Sequence, residues 1–438
     1  MCAGRCSTCT RPLWVQEEDN KRWEDVEALL ANRKHTVFAG HVHHYVKYER
    51  NNGKYFTLAT TGGGSPLRNP TLGEFDHVVW VTMTDNGPIL ANLLLNGIWD
   101  ENITTEKMAE LGRPLASGFP IAIEPILRNN AHFTGGPTQI RLTNDSDGLM
   151  EVDLQLIGSP DLYPDFGQQH YTIQPNSVER VSLNLTPASQ ARSIDQTEPV
   201  QLKAQFKYKF LDVPEVTFEK IYLIRPEVEE EIAKVAQPVK VDGDLKEWGN
   251  LPFRVEEARY IETDPFSHKG ANDASFSFAT AYDDQFLYVA VKVKDDELVT
   301  DPNKWPNEQD AVFVHIDARP ERISANSLGG WREGLFLAQI PDLSSQRQEK
   351  FFNQQNLPEG IKGITVQTKE GMVSEMAIPL DYIKKTQGTE DWTTLRLNVY
   401  YSDADQNGQH HSMLFWKPAW NGQENYVGSG MFRKRKEF

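Results

Sequence analysis

The sequence has few cysteines and places them unevenly. Of its 438 residues only Cys2, Cys6 and Cys9 are cysteines, and none follows Cys9. The spacing C-x3-C-x2-C can hold three irons of an iron–sulfur cluster, but the residues after Cys9 do not continue such a motif. We therefore predict no iron–sulfur site and regard this N-terminal stretch as compositionally foreign to the rest of the chain.

Basic residues are scarce relative to acidic ones. The chain has 45 Lys and Arg against 62 Asp and Glu, which gives a formal net charge of −17. Proteins that follow a phosphate backbone need a surface rich in Lys and Arg, so we predict no nucleic-acid partner. The one basic run, at 433–436, is interpreted as a solvated tail.

Long apolar stretches are also lacking. No window approaches the roughly 18 consecutive apolar residues of a membrane span, and we predict no transmembrane segment. Residues 1–6 have no apolar core of the kind found in secretory signal peptides. Two interpretations stay open: a cytoplasmic chain, or a chain whose true N-terminus has been lost.

The length predicts two to four domains, and the first block mixes helix and strand. Apolar periodicity predicts a helix over 18–34, and 36–39 is a short buried strand. Asn52-Gly53 and Asn86-Gly87 each lie between β-rich runs and predict two hairpins. This order suggests the closing edge of a mixed α/β sheet. The predicted apolar face of the helix consists of Trp23, Val26, Leu29 and Leu30.

The remainder of the chain is β-rich. Between 115 and 225, at least five runs alternate apolar and polar residues at period two, which predicts an immunoglobulin-like β-sandwich acting as a spacer. Residues 226–236 are strongly acidic and are interpreted as a connector. A second β-rich block follows, with enough strands for another two-sheet sandwich.

Gly40-His41-Val42-His43 is the sharpest chemical feature of the sequence. Two imidazoles two residues apart, directly after a buried strand, can point at two metal ions about 3.5–4 Å apart. The glycine allows a tight turn there. A His-x-His pair alone is a weak signal, so loop histidines without a ligand, with His44 as a bystander, are the alternative.

The segment 36–44, continued by 56–64 and 74–92, resembles the C-terminal end of calcineurin-like metallophosphoesterases, whose last motif is G-H-x-H. The resemblance implies that His41 and His43 each bind one metal of a dinuclear Mn, Fe or Zn site in a hydrolase. The family's other ligands come from D-x-H, G-D and G-N-H motifs, and the sequence has no Asp-x-His before Gly40 and no Gly-Asn-His. Thr10 stands where the family has another histidine. We therefore expect residues 1–105 to be a truncated, inactive α/β metallophosphoesterase remnant, with no catalytic residue assigned.

A second resemblance begins at 239–248, where a strand, an Asp-Gly-Asp turn and Trp248 are similar to the opening of family 9 carbohydrate-binding modules. Three later stretches, 281–289, 309–317 and 374–380, resemble that family's D-D-x-x-L-Y-V, D-x-v-e-x-x-I-D and v-E-x-x-I-P motifs in the same order. The resemblance covers about 200 residues. It implies a β-sandwich over 232–438 that binds a carbohydrate or polysaccharide.

The family clamps its sugar between two tryptophans, and Trp305 and Trp420 stand at similar positions. Asp403 matches an acidic position near the ligand. Packing at the rim is the alternative role for both tryptophans. Two departures put the family's usual sugar in question: a glutamate is replaced by Phe313, and an arginine has no counterpart in 335–340.

The resemblance also implies structural calcium. Its candidate ligands are Asp242, Asp244 and Asp317, although acidic turn residues need no metal to explain them.

The sequence thus predicts a multidomain, mainly β protein: the α/β remnant (1–105), the immunoglobulin-like sandwich (115–225) and the sugar-binding sandwich (232–438). The first functional hypothesis is a carbohydrate-binding protein. An active metal-dependent phosphoesterase with an accessory sugar-binding domain and an adaptor with a decayed sugar site are the alternatives. Pairing the two resemblances places the intact parent in the periplasm or outside the cell, and it assigns no oligomeric state.

Overall fold

The computed structural model describes residues 5–15, 17–128, 132–188, 193–263, 268–301, 303–320, 334–405, 410–418 and 429–435. Strands dominate this part of the chain, in agreement with the predicted mainly β, multidomain architecture. None of the helices described is both long and apolar enough to cross a membrane.

The first block contains a small mixed sheet with the strand order β1-β2-β4-β3, in which only β3 is antiparallel to its neighbour. A separate three-stranded sheet, β5-β6-β7, follows. The elements of this block are β1 (Arg5–Cys9), α1 (Glu17–Leu30), β2 (His35–Ala39), β3 (Val46–Arg50), β4 (Gly53–Thr57), β5 (Val78–Thr84), β6 (Gly87–Leu94), β7 (Gly97–Trp99) and α2 (Glu106–Ser117).

Helix α1 forms where the periodicity predicts it, but it packs through a narrower face than predicted. Trp23 is buried, whereas Leu29 is 81% exposed. The next buried position on the helix is Glu27, which accepts a hydrogen bond from the Trp23 indole at 3.1 Å and pairs with Arg50 at 2.9 Å. The prediction that Leu29 belongs to the buried face was therefore wrong. The carboxylate of Glu27, which has partners, takes an inward position, and a periodicity based on apolar residues does not predict a buried carboxylate.

Both predicted hairpins are confirmed, with each turn one residue earlier than the Asn-Gly pair suggests. Arg50 pairs with Gly53 around Asn51 and Asn52, whose φ angles of 50° and 61° are left-handed. Two consecutive left-handed residues are what a tight two-residue hairpin turn requires, and Asn tolerates that conformation. The second hairpin leaves apolar side chains in solvent, including Trp80 on β5.

The middle block is a β-sandwich of two four-stranded sheets, with the orders β12-β14-β10-β8 and β13-β11-β15-β16. Alternate residues of each strand point into a shared apolar core, as the period-two pattern predicts. The immunoglobulin-like topology stays a prediction. The eight strands are β8 (Ile121–Ile123), β10 (Gly136–Asn144), β11 (Leu149–Ile157), β12 (Leu162–Pro164), β13 (Gln168–Ile173), β14 (Ser177–Pro187), β15 (Val200–Lys209) and β16 (Val216–Ile224). A further short strand, β9 (Ile126–Arg128), belongs to neither of these two sheets.

The last block packs two sheets around a second large core. One sheet contains β22, β23, β27, β28 and β29, and the other runs β20-β21-β26-β25-β24. The elements are β17 (Pro226–Lys234), β18 (Phe253–Val255), β19 (Ile261–Thr263), β20 (Ala274–Tyr282), β21 (Phe286–Asp295), β22 (Ala311–Asp317), β23 (Leu335–Gln339), β24 (Arg347–Gln348), β25 (Lys362–Thr368), β26 (Gly371–Pro379), α3 (Leu380–Gln387), β27 (Thr394–Asp405), β28 (His410–Phe415) and β29 (Gly430–Lys434).

Strand β17 occupies the segment predicted as an acidic connector, and it links the two sandwiches as a paired strand. The strand pairs in parallel first with β9, then with β29, and finally with β20. Two of its carboxylates form ion pairs: Glu227 with Arg396 at 2.6 Å, and Glu229 with Arg433 at 3.2 Å. The composition of the segment did not indicate this pairing, because the cationic partners lie far away in sequence.

Candidate functional site

The two histidines of the Gly-His-Val-His motif lie on the loop directly after buried strand β2. Both are exposed, and both have left-handed backbone conformations, with φ of 75° at His41 and 58° at His43. Nδ1 of His43 is 2.7 Å from the carbonyl oxygen of Gly64. Non-glycine residues with such φ angles are uncommon and concentrate where loops are functionally constrained.

The structure brings no further metal ligand to these histidines within the part of the chain it describes. Two groups of three or more ligand-type side chains occur among the described residues, and neither includes His41 or His43. Two imidazoles by themselves leave most coordination positions of two metal ions unfilled.

Trp305 is the most exposed aromatic side chain of the described part of the last block, at 66% of its surface. Its backbone is nevertheless held firmly. The Glu308 carboxylate accepts from the Trp305 amide at 3.0 Å, and the Trp305 carbonyl accepts from the Glu308 amide at 2.9 Å. Side-chain Nε2 of buried Gln309 donates to the carbonyl oxygens of Lys304 and Trp305 at 3.0 and 3.4 Å. A fixed backbone therefore presents a large apolar ring to solvent.

A cleft of about 490 Å³ opens beside this ring. Phe352 packs edge to face against Trp305, with the ring centroids 5.9 Å apart at an interplanar angle of 63°. Phe313 and Phe336 form the floor. Phe313 stacks on Tyr400, its partner on the neighbouring strand, with a centroid distance of 4.5 Å, and this contact supports the floor from the side.

The polar groups of the cleft are carboxamides. Asn307, Asn353 and Asn356 line it, and no ionisable side chain is among its described lining residues. Nδ2 of Asn353 donates to the carbonyl oxygen of Phe336 at 3.0 Å, which orients that amide. The cleft thus combines flat apolar rings with neutral hydrogen-bonding groups.

Phe313 explains one departure from the family pattern. It stands where the family has a glutamate, and its buried ring forms part of the cleft floor. An aromatic floor therefore replaces a carboxylate at this position. The sequence alone indicated the substitution but not that the ring would face the cleft.

Asp403 lies on the other side of its sheet from the cleft. Tyr400 packs with the floor residues, whereas Tyr401 belongs to the core between the sheets, and residues two apart on a strand share a face. Asp403 is therefore turned inward with Tyr401. It is 4% exposed and accepts a hydrogen bond from the Ser412 hydroxyl at 2.6 Å. The structure does not bring Asp403 together with Trp305, and Trp420 lies outside the described residues.

Asp403 belongs to a group of three buried carboxylates that sequence reasoning missed. Its carboxylate oxygen lies within 4.8 Å of those of Asp295 and Asp310. Burial raises the pKa of Asp403 to about 7 and that of Asp295 to about 6, and it raises the pKa of Asp310 as well. Tyr401 donates to Asp295 at 2.5 Å. The one signal in the sequence was acidic residues at the ends of separate strands.

A second carboxylate group lies near the first. Asp273, Asp296 and Asp405 also have carboxylate oxygens within 4.8 Å of one another. Lys269 contacts two of them, Asp273 at 3.5 Å and Asp405 at 3.0 Å.

The carboxylates of the three aspartates predicted to bind calcium have other partners. Asp242 accepts from the Asp244 amide at 3.0 Å, and Asp244 pairs with the Lys246 ammonium at 2.7 Å. Asp317 forms a forked pair with Arg319, with distances of 2.6 to 3.2 Å. Neither ligand-type group in the described part of the chain contains Asp242, Asp244 or Asp317.

Comparison with known proteins identifies the last block. Residues 241–430 match the family described as "Carbohydrate family 9 binding domain-like". Endo-1,4-beta-xylanase A of Thermoanaerobacterium saccharolyticum is 29% identical over 167 residues, which are 37% of this chain and 13% of that enzyme. The chain therefore spans only a small part of that relative's length. Residues 241–430 form a carbohydrate family 9 binding domain-like β-sandwich.

Two solved structures of a family 9 carbohydrate-binding module from Caldicellulosiruptor kristjanssonii are also similar to this chain. The complex with cellotriose is 14% identical, and that with glucose is 16% identical. Each covers 48% of this chain, and 95% and 97% of the module respectively, with a TM-score of 0.32.

Proposed function

We propose that this protein binds a carbohydrate in the cleft that Trp305 and Phe352 line. The observation that carries the proposal is the Trp305 ring, which is largely exposed on a backbone fixed by Glu308 and Gln309. An exposed ring that is already ordered loses little conformational freedom when a ligand covers it.

The chemistry of the cleft suits a sugar. The C–H faces of a pyranose are apolar and pack against flat rings, while its hydroxyls need paired donors and acceptors. Trp305 and Phe352 offer the rings, and the amides of Asn307, Asn353 and Asn356 offer both donors and acceptors. Because the family 9 modules of known structure hold cellotriose and glucose, we propose β-linked glucose units as the first ligands to test.

Isothermal titration with cellotriose, together with pull-down on insoluble polysaccharides, tests the proposal. Removing a stacking ring should cost about 2 kcal/mol, or about thirtyfold in Kd, so Trp305→Ala should nearly abolish binding. Trp80→Ala is the matched control, because Trp80 is 64% exposed but lies in the first block. Absence of binding by the unmodified protein would favour the adaptor hypothesis. Equal loss in both variants would point to non-specific adsorption.

Trp420 and Asp403 enter the proposal differently. We propose that the Trp420 ring is a second ring that packs against the sugar. This role rests on the position of Trp420 in the sequence, and Trp420→Ala tests it in the same titration. The burial of Asp403 supports a role inside the sandwich. Asp403→Asn should therefore leave the affinity for cellotriose unchanged.

We further propose that a structural calcium ion binds at the group formed by Asp295, Asp310 and Asp403. Carboxylate oxygens are the ligands that calcium prefers, and three buried carboxylates this close together need a cation or protons to offset their repulsion. Burial, and then repulsion from neighbouring aspartates, raises the pKa values of Asp403 and Asp295, and a bound cation would offset both effects.

For the first block we propose a relationship to calcineurin-like phosphoesterases without hydrolytic activity. The position of His41 and His43 after a buried parallel strand, with left-handed backbones, supports metal-binding ancestry. Metal analysis and hydrolysis of bis-p-nitrophenyl phosphate with Mn²⁺ test this. Turnover that disappears in His43→Ala but persists in His170→Ala, an exposed histidine of the middle sandwich, would establish an active enzyme instead.

A further inference from the structure

A second cleft of about 490 Å³ lies where the middle sandwich meets the carbohydrate-binding domain. One wall is the segment between β14 and β15, including Asp195. The other wall contains Arg259 and Tyr260, which precede β19, and Trp416 and Lys417, which follow β28. This cleft shares no lining residue with the cleft at Trp305.

Unlike the cleft at Trp305, this cleft is lined by charged side chains. Arg225, Arg259 and Lys417 line it, against the carboxylates of Asp195 and Glu198. The pKa of the Asp195 carboxyl lies below its usual range, mainly because of the Lys417 ammonium and to a lesser extent because of the Arg225 and Arg259 guanidinium groups. The positive charge of all three side chains therefore acts on this one carboxylate.

The two partners of the ion pair between Lys417 and Asp195 differ in solvent exposure. Nζ of Lys417 is 3.1 Å from the Asp195 carboxylate, and the lysine side chain is 12% exposed whereas the aspartate side chain is 56% exposed. The ammonium also lies 4.4 Å from the centre of the Trp416 ring, a cation–π contact that fixes it. The cation is thus built into the wall, while the carboxylate reaches it from solvent. A ligand carboxylate that takes the place of Asp195 restores the charge opposite this largely buried ammonium, so the exchange leaves no buried cation uncompensated.

We propose that this cleft binds a sugar that carries a carboxylate, with the sugar acid replacing Asp195 beside Lys417. Arg259 supplies a second cationic donor. Its Nε pairs with Glu257 at 3.2 Å, and its guanidinium lies 4.6 Å from the centre of the Tyr260 ring and donates to the Tyr260 hydroxyl at 2.8 Å. Guanidinium groups match the oxygens of a carboxylate. The Tyr260 hydroxyl beside this guanidinium can bond a sugar hydroxyl.

The test uses the full chain and NMR or calorimetric titration with methyl glucuronide, methyl glucoside and inorganic phosphate. Glucuronide should bind, more weakly in 0.5 M salt, since the cationic wall is partly exposed. Arg259→Gln should weaken glucuronide binding about tenfold. Asp195→Asn should strengthen it about threefold, because it removes the competing carboxylate. Arg254→Gln, an exposed arginine outside the cleft, is the matched control and should change nothing.

Three results would overturn the proposal: no binding of glucuronide, equal binding of glucoside, or unchanged affinity in both Arg259→Gln and Asp195→Asn. Phosphate binding as tight as that of glucuronide would overturn the assignment to sugar acids. Trp305→Ala should leave glucuronide binding intact, so this proposal and that for the first cleft can fail separately.

Discussion

The buried ion pair between Glu227 and Arg396 offers a sharp test of how β17 is held. Arg396 is fully buried, and its two Nη atoms donate to the Glu227 carboxylate at 2.6 and 3.1 Å. Glu227→Ala removes both of these acceptors and takes their negative charge away from the buried guanidinium, which also contacts the Ser429 hydroxyl at 3.4 Å. Breaking one partner of a buried pair costs about 3–5 kcal/mol, and we expect a loss in this range.

The comparison of variants separates charge from packing. Glu227→Gln keeps the shape and one acceptor oxygen, so it should cost less than Glu227→Ala. Replacing both residues, with Glu227→Leu and Arg396→Met, should come within about 1.5 kcal/mol of the unmodified protein, because no buried charge is left uncompensated. Asp284→Ala is the control, because it breaks the exposed pair of Lys234 with Asp284 and should cost less than about 1 kcal/mol.

Urea unfolding followed by tryptophan fluorescence measures these changes, with buried Trp392 and Trp416 as reporters in the same sandwich. A shift of the midpoint at constant m-value reports stability alone. A loss below about 1 kcal/mol for Glu227→Ala would refute the reasoning. A double variant as unstable as Glu227→Ala would also refute the reasoning. That result would show that the pair matters for its shape and not for compensation of charge.

Two further predictions concern a glycine and the calcium proposal. A non-glycine residue in the left-handed conformation costs roughly 1–2 kcal/mol. Gly73→Ala should destabilise the first block by more than this, because the added Cβ would lie 2.0 Å from the Tyr45 carbonyl oxygen. Gly62 has a similar φ but open space around it, so Gly62→Ala should cost only the backbone strain. Thermal unfolding checks both. Calcium at 100 times its Kd should stabilise the carbohydrate-binding domain by about 2.7 kcal/mol relative to EDTA, and Asp403→Asn should abolish most of that gain; an equal gain in the variant would count against calcium at this group.

The elements that local chemistry determines could be predicted from the sequence. Asn next to Gly between β-rich runs was sufficient to locate both hairpins, because the requirement for left-handed residues is local. Period two was sufficient for the middle sandwich. The carbohydrate-binding domain was recognised from four short motifs, and the exposed ring of Trp305 lines a cleft of this domain.

The features that depend on distant partners could not be predicted. The acidic segment around Glu227 was predicted as a connector without strand pairing, because nothing near it in sequence indicates Arg396. Asp403 was assigned to the sugar by its position in a motif, but the direction of its side chain follows from the register of β27 and β28. Phe352 was not considered at all, since a lone phenylalanine in a loop carries no sign that it will face Trp305.

Strand β17 also has a mechanical consequence. Its first residues hydrogen-bond to β9, which packs with the middle sandwich, and its later residues to β29 and β20 of the carbohydrate-binding domain. Tension along this strand loads its ladders in shear, so several backbone hydrogen bonds must rupture together instead of unzipping one by one. Under the proposed function, a bound polysaccharide pulled away from the protein would therefore transmit its load to the middle sandwich through a stiff connection, and the two domains would move as one arm.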